Sequence, residues 1–242
     1  MNALNVLLFV GLPYMAAIVF VVGTIYRYRR HGFTVSSLSS QFLEGRSLFW
    51  GTVPFHVGIL VVFFGHLTAV LFPQATLAWN RIPVRLIILE VTAFTFGVTV
   101  LVGLAALLAR RLGRARIRAV TTPMDVAIEL LLLAQAVLGL WIALGYRWGA
   151  SWFAADLTPY LWSLVGLAPE TNAVFALPWV IKLHVVGAFL IVLLVPFTRL
   201  MHLLVAPLHY LVRPYQQYIW NWNRKTIRDP ETPWSEARPR ST

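Results

Sequence analysis

FWGTVPFHVGILVVFFGHLTAVLF (residues 49–72) carries no charged side chain, yet it holds two histidines, His56 and His66. At about 1.5 Å of rise per residue, a helix of this length crosses the roughly 30 Å hydrocarbon core of a bilayer. An ionisable ring in hydrocarbon is costly, so histidine in a membrane span marks a functional position by default. A second apolar run, LHVVGAFLIVLLVPFTRLMHLL (residues 183–204), holds a second pair, His184 and His202. Neutral imidazole is a common protein ligand for haem iron. Two pairs on two helices could therefore clamp two irons between them.

Composition places the whole chain in a membrane. Of 242 residues 59% are hydrophobic and 12% charged, about half the charged share of a soluble domain. No charge falls between Met1 and Tyr26 or between Ser47 and Asn80. The first run lacks a basic leader and a small-residue cleavage signal, so it reads as a retained helix. There is no cysteine, which excludes disulfides, thiolate-held iron–sulfur clusters and covalent c-type haem. Any metal centre in this chain must use histidine or oxygen ligands.

Five spans are expected, at about Leu4–Ile25, Phe49–Phe72, Val84–Leu108, Pro123–Leu144 and Pro178–Val205, giving an all-α five-helix membrane bundle. Thr122 can cap the fourth, with Pro123 in its first position and Asp125 in its first turn. Pro73 and Gly145 mark the ends of the second and fourth spans. Arg27, Arg29, Arg30 and Arg46 follow span one, and Arg110, Arg111, Arg114, Arg116 and Arg118 follow span three. Arg213, Arg224, Lys225 and Arg228 follow span five. The other loops carry fewer cations, namely Arg81, Arg85, Arg147 and Lys182. The positive-inside rule puts the N-terminus outside and the C-terminus in the cytoplasm. These arginines hug span ends, which favours a topological role over nucleic-acid binding. Within the long outer loop, DLTPYLWSLVGL reads as a short helix, with Trp152, Tyr160 and Trp162 at the membrane interface. Residues 1–212 form the bundle domain and 213–242 a polar cytoplasmic tail.

This orientation pairs the histidines by depth. Span two runs outward and span five inward, so His56 matches His202 towards the cytoplasm and His66 matches His184 towards the exterior. The spacing is uneven: His56 to His66 rises roughly 15 Å, but His184 to His202 roughly 27 Å. A kink at Pro196 is expected to absorb the difference. Gly58, Gly65 and Gly187 could let a flat macrocycle approach the backbone. The alternative is that the histidines only hydrogen-bond between helices; four at matched depths favour ligation. His31 and His209 read as solvated or headgroup-facing.

The segments SSQ (39–41), FHVGILVVFFGH (55–66), RIRAVTTPMD (116–125) and KLHVVGAFLIVLLVPFTRLMHLLVAPLHYL (182–211) carry a resemblance to a known family. Over about residues 10–218 the chain resembles the γ subunit of respiratory nitrate reductase, a five-helix di-haem cytochrome b. The resemblance implies two haem b groups, the inner on His56 and His202 and the outer on His66 and His184. It implies oxidation of quinol, menaquinol or ubiquinol, near the outer haem, drawn from the quinone pool. Electrons would pass to an iron–sulfur β subunit and a molybdenum-containing α subunit that reduces nitrate. It implies a prokaryotic plasma membrane, with lipid and no nucleic acid as surroundings. The outer loop at 145–177 and the tail look divergent.

Several polar residues have a functional and a plainer reading. Gly65, Arg85 and Glu90 are candidates for the quinol site. Glu90 could accept a proton there, or it could pair with Arg85 or Lys182. Arg199, three residues before His202, could meet a haem propionate or snorkel to headgroups. Arg110, Arg111 and Arg118 could also reach propionates. Glu129 should pair with the arginine-rich loop. Two rivals to nitrate reduction stand: the same di-haem subunit serving another reductase, or a non-redox scaffold or sensor.

Overall fold

The computed structural model describes residues 3–32, 35 and 46–205, all within one compact unit, Met1–Val205. The 39–41 motif, His209, the tail from 213 with its cations and the domain boundary at 212 lie outside the described residues. Among those described there are helices and no strands. Five helices are long and apolar enough to cross a membrane, and the protein is a multi-pass, all-α membrane protein. The spans are α1 (Ala3–Arg30), α2 (Arg46–Leu71), α4 (Pro83–Gly113), α5 (Pro123–Gly145) and α7 (Trp179–Leu194). Between them lie α3 (Pro73–Asn80) and α6 (Thr158–Val165). α6 is the short helix expected of DLTPYLWSLVGL, whereas α3 is unexpected: Pro73, which follows the end of the second span, also begins a helix of its own.

Proline and its neighbours set most boundaries. α3, α4 and α5 each begin with proline in the first turn, where its missing N–H has no helical acceptor to satisfy. Thr122 accepts the Asp125 N–H while the Asp125 carboxylate accepts the Thr122 N–H, a complete capping box. In α1, Pro13 cannot donate to the carbonyl four residues back, and the turn Leu7–Gly11 widens to a π-helix. The carbonyl freed is that of Phe9. It accepts the hydroxyl of Tyr160 at 2.7 Å.

The packing order runs α2, α4, α5, α7, α1, each helix lying against the next. The α2–α4 contact is the most extensive and depends on glycine. A Cβ on Gly58 would come within 2.7 Å of the Phe96 carbonyl, and one on Gly103 within 2.6 Å of the Phe55 nitrogen. Close approach of this kind is how helices associate where lipid removes the hydrophobic drive. Gly58 therefore serves helix packing and not access for a macrocycle. The buried core sits where α1, α5, α6 and α7 converge, around Phe9, Ile142, Tyr160, Val174, Val180 and Val185. α2 is covered least: only 11% of its most apolar window is buried, against 33% for the fifth span.

The fifth span departs from expectation. It is not one kinked helix to Val205. α7 stops at Leu194, residues Val195–Phe197 form a 3-10 turn, and Thr198 is extended (φ −119°, ψ 178°). A second 3-10 segment, Arg199–Val205, carries His202. Pro196 lacks the N–H that would continue the ladder, and Thr198 leaves helical geometry altogether. A 3-10 helix rises more per residue than an α-helix. His184 and His202 are thus separated by a break in the span, where a kink within one helix was expected.

Tyr160 is also a correction, since it is 1% exposed and not interfacial. Burial raises its phenol well above the ordinary range, so it stays a donor to Phe9. Replacing Tyr160 by Phe leaves a buried carbonyl without its donor, at about 1–3 kcal/mol. The expected result is a lower thermal midpoint for the purified complex; an unchanged midpoint would show that water or a backbone shift takes over.

A candidate bis-histidine centre between spans two and five

Spans two and five do not pack extensively on one another, yet their histidines face across the gap. The rings of His56 and His202 lie 6.2 Å apart between centroids, at 63°. Imidazole nitrogens bond a metal at roughly 2 Å, and each ring centre lies about 1 Å farther out. Two imidazoles on opposite sides of one iron therefore need centroids about 6 Å apart, so this pair fits a bis-histidine haem.

The ring nitrogens are oriented for that task. Nδ1 of His56 faces the Thr52 carbonyl at 2.8 Å, and Nδ1 of His202 the Arg199 carbonyl at 2.5 Å. Nδ1 of His66 faces the Val62 carbonyl at 2.8 Å. A proton held on Nδ1 by a carbonyl leaves the Nε2 lone pair for a metal, as in most histidine metal sites. His184 differs. The Gln135 backbone lies beside its ring, but the buried Nδ1 makes no hydrogen bond of acceptable geometry. The His66 ring packs edge-on against Phe153 at 5.3 Å. Among the described residues no three His, Asp or Glu side chains converge on a bare metal ion. His56 and His202 are the two histidines whose rings the described residues bring together.

Surrounding residues sort differently from the sequence expectations. Nothing lies within 4 Å of a Cβ built on Gly65, whereas Gly187 is packed against the Gln135 amide. Gly65 alone of the three glycines therefore offers open approach. Glu90 pairs with neither Arg85 nor Lys182. Its Oε1 accepts the Ala150 N–H at 2.9 Å, while Arg85 stacks over Trp79 at 4.9 Å and Lys182 donates to the Phe175 carbonyl at 2.6 Å. The three quinol-site candidates are thus not joined by a direct contact. The segment after Gly149 touches both Glu90, through Ala150, and His66, through Phe153, a link with no signal in the sequence.

Arg199 meets a carboxylate of the protein. Its Nε and Nη2 donate to the two oxygens of Asp125, at 2.6 and 2.8 Å, and Nη2 also reaches the Val120 carbonyl. This is the bidentate geometry that guanidinium and carboxylate favour. Arg111 donates to Glu129 at 2.6 Å and stands 3.6 Å from Asp125. Glu129 thus pairs with the arginine-rich region as expected, and the acids tie α4, α5 and the His202 segment together. Arg118 donates to the Leu112 carbonyl. Removing Asp125 breaks the cap of α5 and strands Arg199, and for a largely buried pair such a loss costs about 3 kcal/mol. Asp125→Ala should destabilise the complex strongly, and Asp125→Asn, which keeps a capping oxygen, less so. Equal thermal midpoints for the two variants would show that the capping oxygen contributes nothing, and a wild-type midpoint in Asp125→Asn that the charge pair contributes nothing.

Comparison with known proteins bears on the family of the chain. Residues 5–221 match the family model described as nitrate reductase gamma subunit. The respiratory nitrate reductase 2 gamma chain of Escherichia coli (strain K12) is 36% identical over 216 residues, covering 88% of this chain and 96% of its own. The nitrate reductase gamma chain of Bacillus subtilis (strain 168) is 31% identical, covering 86% and 94%. The respiratory nitrate reductase 1 gamma chain of Escherichia coli is 33% identical, covering 89% and 97%. With five spans and these bacterial relatives, the protein is a multi-pass constituent of a prokaryotic membrane. The chain belongs to the nitrate reductase gamma subunit family.

Proposed function

We propose that this chain is the quinol-oxidising, electron-transferring membrane subunit of a respiratory nitrate reductase. The observation that carries the reading is the facing of His56 and His202 across two spans that do not pack together. His56 and His202 would hold the iron of one haem b, and His66 and His184 that of a second. Bound haem supplies reversible one-electron iron chemistry, the means of moving single electrons across the bilayer to an iron–sulfur partner. Nitrate chemistry would belong to a molybdenum-containing partner, since this chain has no cysteine for clusters.

The chain's own residues prepare this work. Carbonyls of Thr52, Val62 and Arg199 fix the orientation of three imidazoles, so their Nε2 atoms need no rearrangement on binding iron. Open space beside Gly65 and the exposed ring of His66 leave room for a quinol near the outer pair. Glu90, which accepts the Ala150 N–H, remains the candidate to receive a proton there. The arginines at the ends of spans one, three and five support an outside N-terminus and a cytoplasmic C-terminus. Quinol oxidised outside and nitrate reduced inside would make turnover charge-separating.

The test compares two electron donors in membranes holding the whole complex. A His66→Ala variant should lose quinol-driven nitrate reduction by at least tenfold. It should keep nitrate reduction driven by a soluble dye that reduces the partner subunits directly. Full quinol-driven activity in this variant would contradict the proposal, as would wild-type membranes reducing a different acceptor and not nitrate.

A further inference from the structure

Arg27 lies at the end of α1, where a cation needs no explanation beyond topology. The structure gives it a more specific task. Its Nη1 donates to the carbonyls of Pro196 and Thr198, at 2.7 and 2.8 Å. These are carbonyls at the break in span five. In an unbroken helix they would accept from the N–H groups four residues on, which the extended Thr198 takes out of register. Only a long 3.4 Å contact from the Met201 N–H also reaches the Thr198 oxygen. Unsatisfied carbonyls within a membrane protein cost several kcal/mol each, so the break needs a donor from another helix.

The rest of the α1 face is shaped for the same segment. Gly23, one turn before Arg27, lies against Pro196, where a Cβ would come within 2.9 Å of the proline ring. Thr24 points its hydroxyl at the Met201 sulfur, 4.0 Å away. Met201, 1% exposed, neighbours His202. Gly23, Thr24 and Arg27 thus cradle residues 196–201, the stretch that decides where His202 points. On the other side Arg199 is held by Asp125.

We propose that Arg27 is a positioning residue for His202: by holding the Pro196 and Thr198 carbonyls it keeps the broken end of span five in the course that brings His202 opposite His56. This rests on the reading of that pair as a haem site. Its expected consequence is selective, because the carbonyls that Arg27 holds belong to the segment of His202.

The experiment uses the purified whole complex, with reduced-minus-oxidised spectra, low-temperature electron paramagnetic resonance and haem content per chain. His56→Ala identifies the signal of the His56–His202 haem. Arg27→Ala should lose or shift that same signal, with haem content falling towards half, and leave the other haem as an internal control of folding. Arg27→Lys, whose ammonium can still donate to both carbonyls, should restore much of it. Arg29→Ala, which removes the same charge two residues on, should leave both signals unchanged. Unaltered signals in Arg27→Ala, equal loss of both haems, or the same effect from Arg29→Ala would each overturn the proposal. A wild-type complex without b-type haem would instead overturn the haem reading on which it rests.

Discussion

A polar group within a bilayer must find its partner inside the protein, and that constraint organises this molecule. Water cannot rescue a freed carbonyl or an imidazole N–H there. Pro13 frees the Phe9 carbonyl, and Tyr160 reaches across from α6 to take it. Pro196 and Thr198 break span five, and Arg27 reaches across from α1 to take the carbonyls released. Arg199 enters the same region and is met by both oxygens of Asp125. The irregularities at Pro13 and Pro196 thereby each recruit a side chain from another helix. These cross-helix bonds are what the bundle has in place of a hydrophobic drive between spans.

The histidines obey the same constraint within their own helices. Three turn Nδ1 onto a backbone carbonyl three or four residues back. Their Nε2 atoms are then committed to whatever lies between spans two and five. Those spans face each other without packing, because α2 is anchored on α4 through Gly58 and Gly103 and α7 on α5 and α1. Between these two spans the His56 and His202 rings are brought together, 6.2 Å apart.

Much of this was legible in the residues. Uncharged runs gave the spans, since length and apolarity are the physical requirements for crossing. Thr122, Pro123 and Asp125 gave the start of α5, because capping is a local interaction. The four histidines stood out because an ionisable ring in a hydrocarbon span is costly. What was not legible depended on contacts between distant segments. Pro196 announces an irregularity, but whether a span kinks or breaks depends on a donor such as Arg27, 169 residues away in sequence. Arg199 looked like a cation in search of an anion, and nothing in its neighbourhood in sequence pointed to Asp125 on α5. Tyr160 read as interfacial because its need for a buried acceptor arises only from Pro13. Gly58 and Gly187 lie near His56 and His184 in sequence but face neighbouring helices, a matter of rotation that packing alone decides.

The central claim is that four histidines act as two cross-helix pairs, each holding one haem. Its most direct measurement is haem spectroscopy on four single variants of the assembled complex: His56→Ala, His202→Ala, His66→Ala and His184→Ala. The account predicts two low-spin b-type signals in the wild type. Variants at His56 and His202 should lose one and the same signal, and variants at His66 and His184 the other. Loss of different signals within either pair, or a wild-type complex without b-type haem, would contradict it.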